Sequence, residues 1–191
     1  MLFESLWEKL EKNNIILRFM YDRQMFIDMI IFECKDLFLK REEKMKIEKV
    51  IDNKENYLEL LLEADPEVDV VKQYLNCGDM YILLDEEKVA SIAIVIKVND
   101  EECELKNIAT DKTCRGKGFA GELIKYIFEE YKDKFKRMIV GTTENMIPFY
   151  VLNGFTKYHH TVKNFFVDNY EEEIWDGDLH CIDMYYYYKN L

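Results

Sequence analysis

The sequence predicts a mixed α/β domain, one sheet with helices on both faces, preceded by a helical extension. Three observations predict it. The hydrophobic period changes along the chain, helical at first, then β-rich from about residue 79. A strand-like run, "ECELKNIAT", passes through a glycine-rich loop directly into an amphipathic helix. The chain has 191 residues, 49% hydrophobic and 34% charged, which suits one domain with a core.

Residues 1–44 read as the extension. Phe3, Leu6, Trp7 and Leu10 fall at helical spacing, and Phe26, Met29, Ile30, Glu33 and Leu37 continue a mixed stripe. "NNII" at 13–16 divides it into two helices. The stripe needs cover, which the main domain or a second copy of the chain (a homodimer) would supply. The main domain is expected over 45–191. "KMKIEKVI" at 44–51 reads as its first strand, and two helical patterns follow, with a start signal at Asp65-Pro66 and a stop at Gly78. "MYILLD" and "KVASIAIVIKV" read as a hairpin, and "ECELKNIAT" as the next strand. A helix is expected from about Phe119 to Tyr131, because Phe119, Leu123, Ile127 and Tyr131 share one face. "RMIVGTT" is a strand, and "NMIPFYVLNGF" a short helix stopped by Gly154. "TKYHHTVKNFFV" and "HCIDMYYYYK" read as two closing strands around the acidic, aromatic loop "DNYEEEIWDGDL".

Composition narrows the function. A formal net charge of -12 speaks against nucleic acid and against an anionic membrane surface, both of which need a basic face. A cationic substrate fits that charge, as does acidity kept only for solubility. The 5 cysteines are scattered and form no CxxC pair, so reduced thiols in a cytoplasmic protein are expected rather than a disulfide framework or zinc site. The apolar stretch "MFIDMIIFECKDLFL" is broken by Asp28, Glu33, Lys35 and Asp36 and is too short to span a bilayer. His159 and His160 are strand neighbours expected on opposite faces, so no metal is expected.

The chain has only 7 glycines, and three lie in "CRGKGFAGELIKYI", residues 114–127. A helix N-terminus presents unpaired N–H groups and partial positive charge, and glycines let a phosphate approach them. Arg115 and Lys117 add full charge. The P-loop form is absent, since no glycine stands five residues before Gly116. Gly116-Lys117-Gly118-Phe119-Ala120-Gly121 matches the dinucleotide spacing formally, but lacks the early βαβ setting and the acidic residue at the next strand end. A helix cap without ligand is the plain alternative. The third form is Arg/Gln-x-x-Gly-x-Gly/Ala, present as Arg115-Gly116-Lys117-Gly118-Phe119-Ala120.

With that loop, "LKNIATDKTCRGKGFAGELI" and "TTENMIPFYVLNGF" resemble the two conserved blocks of the GCN5-related N-acetyltransferase (GNAT) superfamily, over roughly residues 45–191. The extension at 1–44 lies outside the resemblance. Ala120 stands where many members have glycine, and Thr110-Asp111-Lys112 where many have an aliphatic residue followed by proline. The resemblance implies a mostly antiparallel sheet that splays between the strands at 103–110 and 137–143. It implies acetyl-CoA as co-substrate, its pantetheine arm on the backbone of Ile108, Ala109 and Thr110 and its pyrophosphate on the amides of residues 116–120, with Arg115 and Lys117 nearby. It also implies Tyr150 near the cofactor sulfur, where the phenol either protonates the thiolate or only packs. Asn145 caps the short helix or touches the cofactor arm. Glu104 is read on one strand face with Lys106 and Ile108, as a base for the acceptor amine or as a surface carboxylate. The acceptor site is expected between the helices at 54–76 and the final hairpin, whose acidic-aromatic loop either holds an ammonium group or is an ordinary solvated loop. The function implied is transfer of acetyl from acetyl-CoA to a primary amine of a small molecule or protein. The alternative is a non-catalytic acyl-CoA-binding regulatory or interaction module.

Overall fold

The computed structural model describes residues 27–28, 30–32 and 45–191. The extension expected over 1–44 therefore lies outside the described residues, apart from short helical pieces at 27–28 and 30–32. Residues from Met45 to Leu191 form one compact unit.

Its frame is a seven-stranded sheet in the order β1-β2-β3-β4-β5-β9-β6. β1 (Met45–Val50), β2 (Asp79–Asp85), β3 (Lys88–Lys97) and β4 (Glu102–Thr110) form an antiparallel meander. Between β1 and β2 lie two short helices, α1 (Leu58–Leu61) and α2 (Val68–Leu75). From β4 the chain crosses by α3 (Phe119–Tyr131) to β5 (Arg137–Thr142), which runs parallel to β4. α4 (Ile147–Leu152), β6 (Lys157–Val162) and α5 (Phe165–Asn169) follow. A small hairpin, β7 (Trp175–Asp176) and β8 (Leu179–His180), precedes β9 (Met184–Asn190), which pairs antiparallel with both β5 and β6.

The apolar stripes explain the layers. The stripe on α3 buries Phe119, Leu123, Ile124, Ile127, Phe128 and Tyr131 against Tyr81, Val95, Leu105, Met138 and Val140. Full burial of such a side chain contributes about 2 kcal/mol relative to exposure. On the other face, Leu61, Val71, Tyr74 and Leu75 of α1 and α2 cover Met80, Ile82, Ile92 and Ile94.

Of three register shifts in the sheet, the one at Leu83–Leu84 lies in the β2–β3 pair, and the other two move residues singled out in the sequence. The β3–β4 register runs Ile94↔Asn107 and then Val95↔Leu105, so Lys106 is an extra residue in β4. A bulge of this kind reverses which side chains face which way beyond it. Cys103, Leu105 and Ile108 therefore pack toward α3, whereas Asn107 and Ala109 face α1 and α2. Glu104, between Cys103 and Leu105, does not share a face with Ile108, contrary to the alternation read from sequence. The second bulge skips His159, since Tyr158 pairs Tyr187 and His160 pairs Tyr186. The two histidines expected on opposite faces instead touch, Nδ1 to Nδ1 at 2.5 Å. The C-terminal region also contains more structure than two strands. Phe165–Asn169 is helical, and the acidic loop folds into the β7–β8 hairpin.

Candidate functional site

β4 and β5 share three rungs, Glu102↔Arg137, Cys103↔Met138 and Glu104↔Ile139. Both strands continue, β4 to Thr110 and β5 to Thr142, without pairing further. β4 stays bonded to β3 as far as Ser91↔Thr110, so it is held straight while its other edge opens. Along that edge, alternate residues turn backbone N–H and C=O groups into the gap. Ser91, fully buried, secures the strand end by donating from Oγ to the Ala109 carbonyl at 2.7 Å.

The N-terminus of α3 stands over the opening. Gly116 (φ 74°) and Gly118 (φ 85°) both occupy the left-handed region, which a side chain enters only with strain. A Cβ at either position would meet no atom within 4 Å, so open space surrounds both. Gly118 is the N-cap of α3 and, being glycine, makes no side-chain cap bond of its own. As in any α-helix, the first-turn amides have no acceptor within the helix itself. Gly121 has a different reason to be glycine, because a Cβ there would come within 2.7 Å of the Asn153 Oδ1.

A cleft of about 1110 Å³ runs from this tip through the splay to the α1–α2 loop and the acidic loop. Its walls include Glu104, Ile108, Ala109, Thr110, Arg115, Gly116, Gly118, Phe119, Ala120 and Tyr150. Lys117 and Asn145 are not part of the wall. Asn145 donates from Nδ2 to the Asp176 carbonyl at 2.8 Å, and Thr143 Oγ1 donates to Asp176 Oδ2 at 2.6 Å. The side chain of Asn145 anchors the acidic loop rather than capping its own helix.

Arg115 is already engaged. Its Nε donates to the Thr110 carbonyl at 3.2 Å and its Nη2 pairs with Glu63 Oε2 at 3.0 Å. Lys112 pairs with the other Glu63 oxygen at 2.9 Å. These contacts tie the α1–α2 loop to the loop before α3.

Tyr150, on α4, packs edge-on against Phe149 and Phe155. Its hydroxyl has no hydrogen-bond partner among the described residues. Burial pushes its pKa up to about 12, so it remains a proton donor throughout the neutral range. Glu104 is 8% exposed and accepts from Lys106 Nζ at 3.3 Å. The Lys106 ammonium also lies 5.9 Å from the centre of the Tyr74 ring. Tyr186 lies across the sheet on β9, and burial and the Glu104 charge together raise its pKa to about 12.

Sequence reasoning missed Asp65. It lines the cleft and is held by three donors: Tyr74 Oη at 3.2 Å, Tyr170 Oη at 3.3 Å and the Glu67 amide at 3.3 Å. Burial raises its pKa despite those bonds. The signal available, Asp-Pro before a helical pattern, reads equally as a helix start. Among the described residues no cluster of three metal-ligating side chains occurs, and no helix is long and apolar enough to cross a membrane.

Residues 76–157, which hold the opened strands and the α3 tip, match the family model described as acetyltransferase (GNAT) domain. An uncharacterized N-acetyltransferase of Bacillus subtilis (strain 168), YvbK, is 29% identical over 153 residues, covering 78% of this chain and 98% of that protein. A GNAT family acetyltransferase from Elizabethkingia anophelis, solved with acetyl-CoA bound, superposes with a TM-score of 0.71 at 28% identity, over 78% of this chain and 99% of that one. A Bacillus subtilis acetyltransferase solved in complex with CoA gives a TM-score of 0.70 at 27% identity, with the same coverage of both chains.

Proposed function

This chain belongs to the GNAT acetyltransferase family, and from that premise we propose how its cleft binds acetyl-CoA and delivers the acetyl group to an amine. One observation carries the reading: β4 and β5 part beyond Glu104 and Ile139, and the same cleft is lined by the glycine-capped tip of α3. The pantetheine arm lies along the open edge of β4 at Ile108, Ala109 and Thr110, completing the sheet as an added strand would. The pyrophosphate sits at residues 116–120, where first-turn amides and the helix dipole favour negative charge. Arg115 supplies positive charge there, shared with Glu63. Asn145 acts indirectly, by holding the acidic loop, and Lys117 contributes long-range charge.

In the transfer, the lone pair of a neutral amine attacks the thioester carbonyl carbon. The resulting oxyanion accepts a hydrogen bond from a backbone N–H near Ile108. Glu104, directly or through water, has first taken the proton from the ammonium form of the amine. The C–S bond then breaks, and the proton shed by the tetrahedral nitrogen passes to the departing sulfur. Tyr150 donates to the departing thiolate. Its pKa of about 12 lies above the value of about 8.5 usual for a thiol, so this contact serves as a strong hydrogen bond that stabilises the sulfur as charge develops.

The acceptor enters from the side of the α1–α2 loop and α5, where Asp65, Phe166, Tyr170 and Glu172 line the cleft. That wall is acidic and aromatic, which suits an amine carrying positive charge. Purified protein with acetyl-CoA and a panel of amines tests the proposal by CoA release. Turnover on at least one amine is expected, whereas tight acetyl-CoA binding without turnover on any would replace the enzyme by a binding module.

A further inference from the structure

Asp65 is a carboxylate on the acceptor wall of the cleft that the transfer chemistry leaves unused. Asp65 lies on the α1–α2 face of the sheet, with Tyr74 and Asn107, whereas Tyr150 packs with the α3-side core. Both residues line the same cleft. Every bond to Asp65 runs toward it. Asn107 Nδ2 donates to Tyr74 Oη at 2.9 Å, and Tyr74 spends its one proton on Asp65 Oδ2. Tyr170, on the segment after α5, donates to Oδ1. Among the described residues no lysine or arginine forms an ion pair with Asp65. All hydrogen bonds to this half-buried carboxylate come from neutral donors, and Lys106 acts on it only at a distance, so a cation in direct contact would complete its surroundings.

A second, independent observation lies beside it. Asn107 is 5% exposed, lines the cleft, and its Oδ1 has no hydrogen-bond partner. A buried acceptor of this kind is unusual and calls for an N–H donor. The same wall already accommodates one ammonium group, because Lys106 Nζ rests over the Tyr74 ring and against Glu104.

We propose that Asp65, with Asn107 beside it, binds a second cationic centre of the acceptor, so that the preferred substrate is a diamine or longer amine with one nitrogen acetylated and another held as ammonium. The nitrogen that attacks must be neutral, whereas the one at Asp65 keeps its charge, so the site needs two nitrogens in different states. Tyr170 shapes the site by linking the segment after α5 to the α1–α2 loop. This inference rests on the transfer reading above but can fail independently of it.

The test compares 1,4-diaminobutane with 4-aminobutanol, which differs by one ammonium group, by CoA release and by calorimetric binding in the presence of CoA. The diamine is expected to show a KM and a Kd lower by at least about tenfold. In Asp65→Asn, which retains an oxygen for the tyrosine hydroxyls, the advantage of the diamine over 4-aminobutanol in KM and Kd disappears. Tyr170→Phe gives an intermediate loss. Equal use of the two amines by the unmodified protein overturns the proposal, even should Asp65→Asn not fold. A preference for the diamine that survives Asp65→Asn also overturns it. Diamine binding that depends on Asp65 but yields no CoA release sustains the proposal and sinks the transfer reading. Turnover without diamine preference does the reverse.

Discussion

Glu104 and Ile139 are the last residues that β4 and β5 set opposite one another, and the cleft begins at that rung. Glu104 therefore sits where a paired strand becomes an open edge, 8% exposed and bound to Lys106. As the base for the amine, it matters most when the amine arrives protonated. Glu104→Gln is expected to lower kcat about a hundredfold at pH 7, within the usual range for loss of a general base. The loss should shrink as pH rises toward the pKa of the amine, because free amine then needs no base. A pH–rate profile checks this, and a deficit that stays constant with pH would assign Glu104 to positioning through Lys106.

Tyr150→Phe removes a hydroxyl without a protein partner, so little stability should be lost. Its kcat is expected to fall about tenfold to a hundredfold with the acetyl-CoA KM nearly unchanged, as for a contact made only in the transition state. The folded-state pKa of about 12 exceeds the ordinary tyrosine value of 10.0. Stability from keeping this phenol protonated is thus fully present below pH 10 and is lost as pH rises from about 10 to about 12. Urea unfolding between pH 9 and 12 should show a shallower alkaline loss in Tyr150→Phe than in the unmodified protein, with the remaining tyrosines supplying the rest.

Much of this architecture is written in local pattern. The stripe Phe119, Leu123, Ile127 and Tyr131 gave α3 its buried face, and the glycines at 116 and 118 marked the loop before it. Departures from pattern stayed hidden. Alternation places Glu104 with Ile108, but one extra residue at Lys106 separates them, and nothing in the local sequence distinguishes a bulge from a regular strand. The hold of Glu63 on Arg115 crosses 52 positions, and that of Tyr170 on Asp65 crosses 105. Such pairs are set by how the loops meet after folding, which periodicity does not encode. The β7–β8 hairpin has two residues per strand, too few for an alternation signal.

The Glu63–Arg115 pair leads to a test by charge. If Arg115 shares its guanidinium between Glu63 and the cofactor phosphates, Arg115→Ala weakens acetyl-CoA binding about tenfold at low salt and less at high salt, where such attractions are screened. Glu63→Gln removes the competing carboxylate and should leave affinity unchanged or improve it a few-fold. Calorimetric titration of acetyl-CoA at two ionic strengths reads both. A Glu63→Gln variant that binds as poorly as Arg115→Ala would mean that Glu63 is needed to aim the guanidinium.

The loop glycines separate backbone strain from room for the phosphate. Gly118→Ala puts a Cβ on a residue at φ 85°, which costs roughly 1–2 kcal/mol of stability because the left-handed region is unfavourable to L-residues. No protein atom lies near that Cβ, so crowding adds nothing to the cost in the free protein. Asparagine tolerates this region better, so Gly118→Asn should recover part of the lost stability. It should not recover acetyl-CoA affinity, because its side chain projects into the space that the pyrophosphate needs. Denaturant melts and calorimetry on the two variants therefore give opposite rankings if the phosphate sits at the α3 tip. Stability and affinity that fall and recover together would place the phosphate elsewhere.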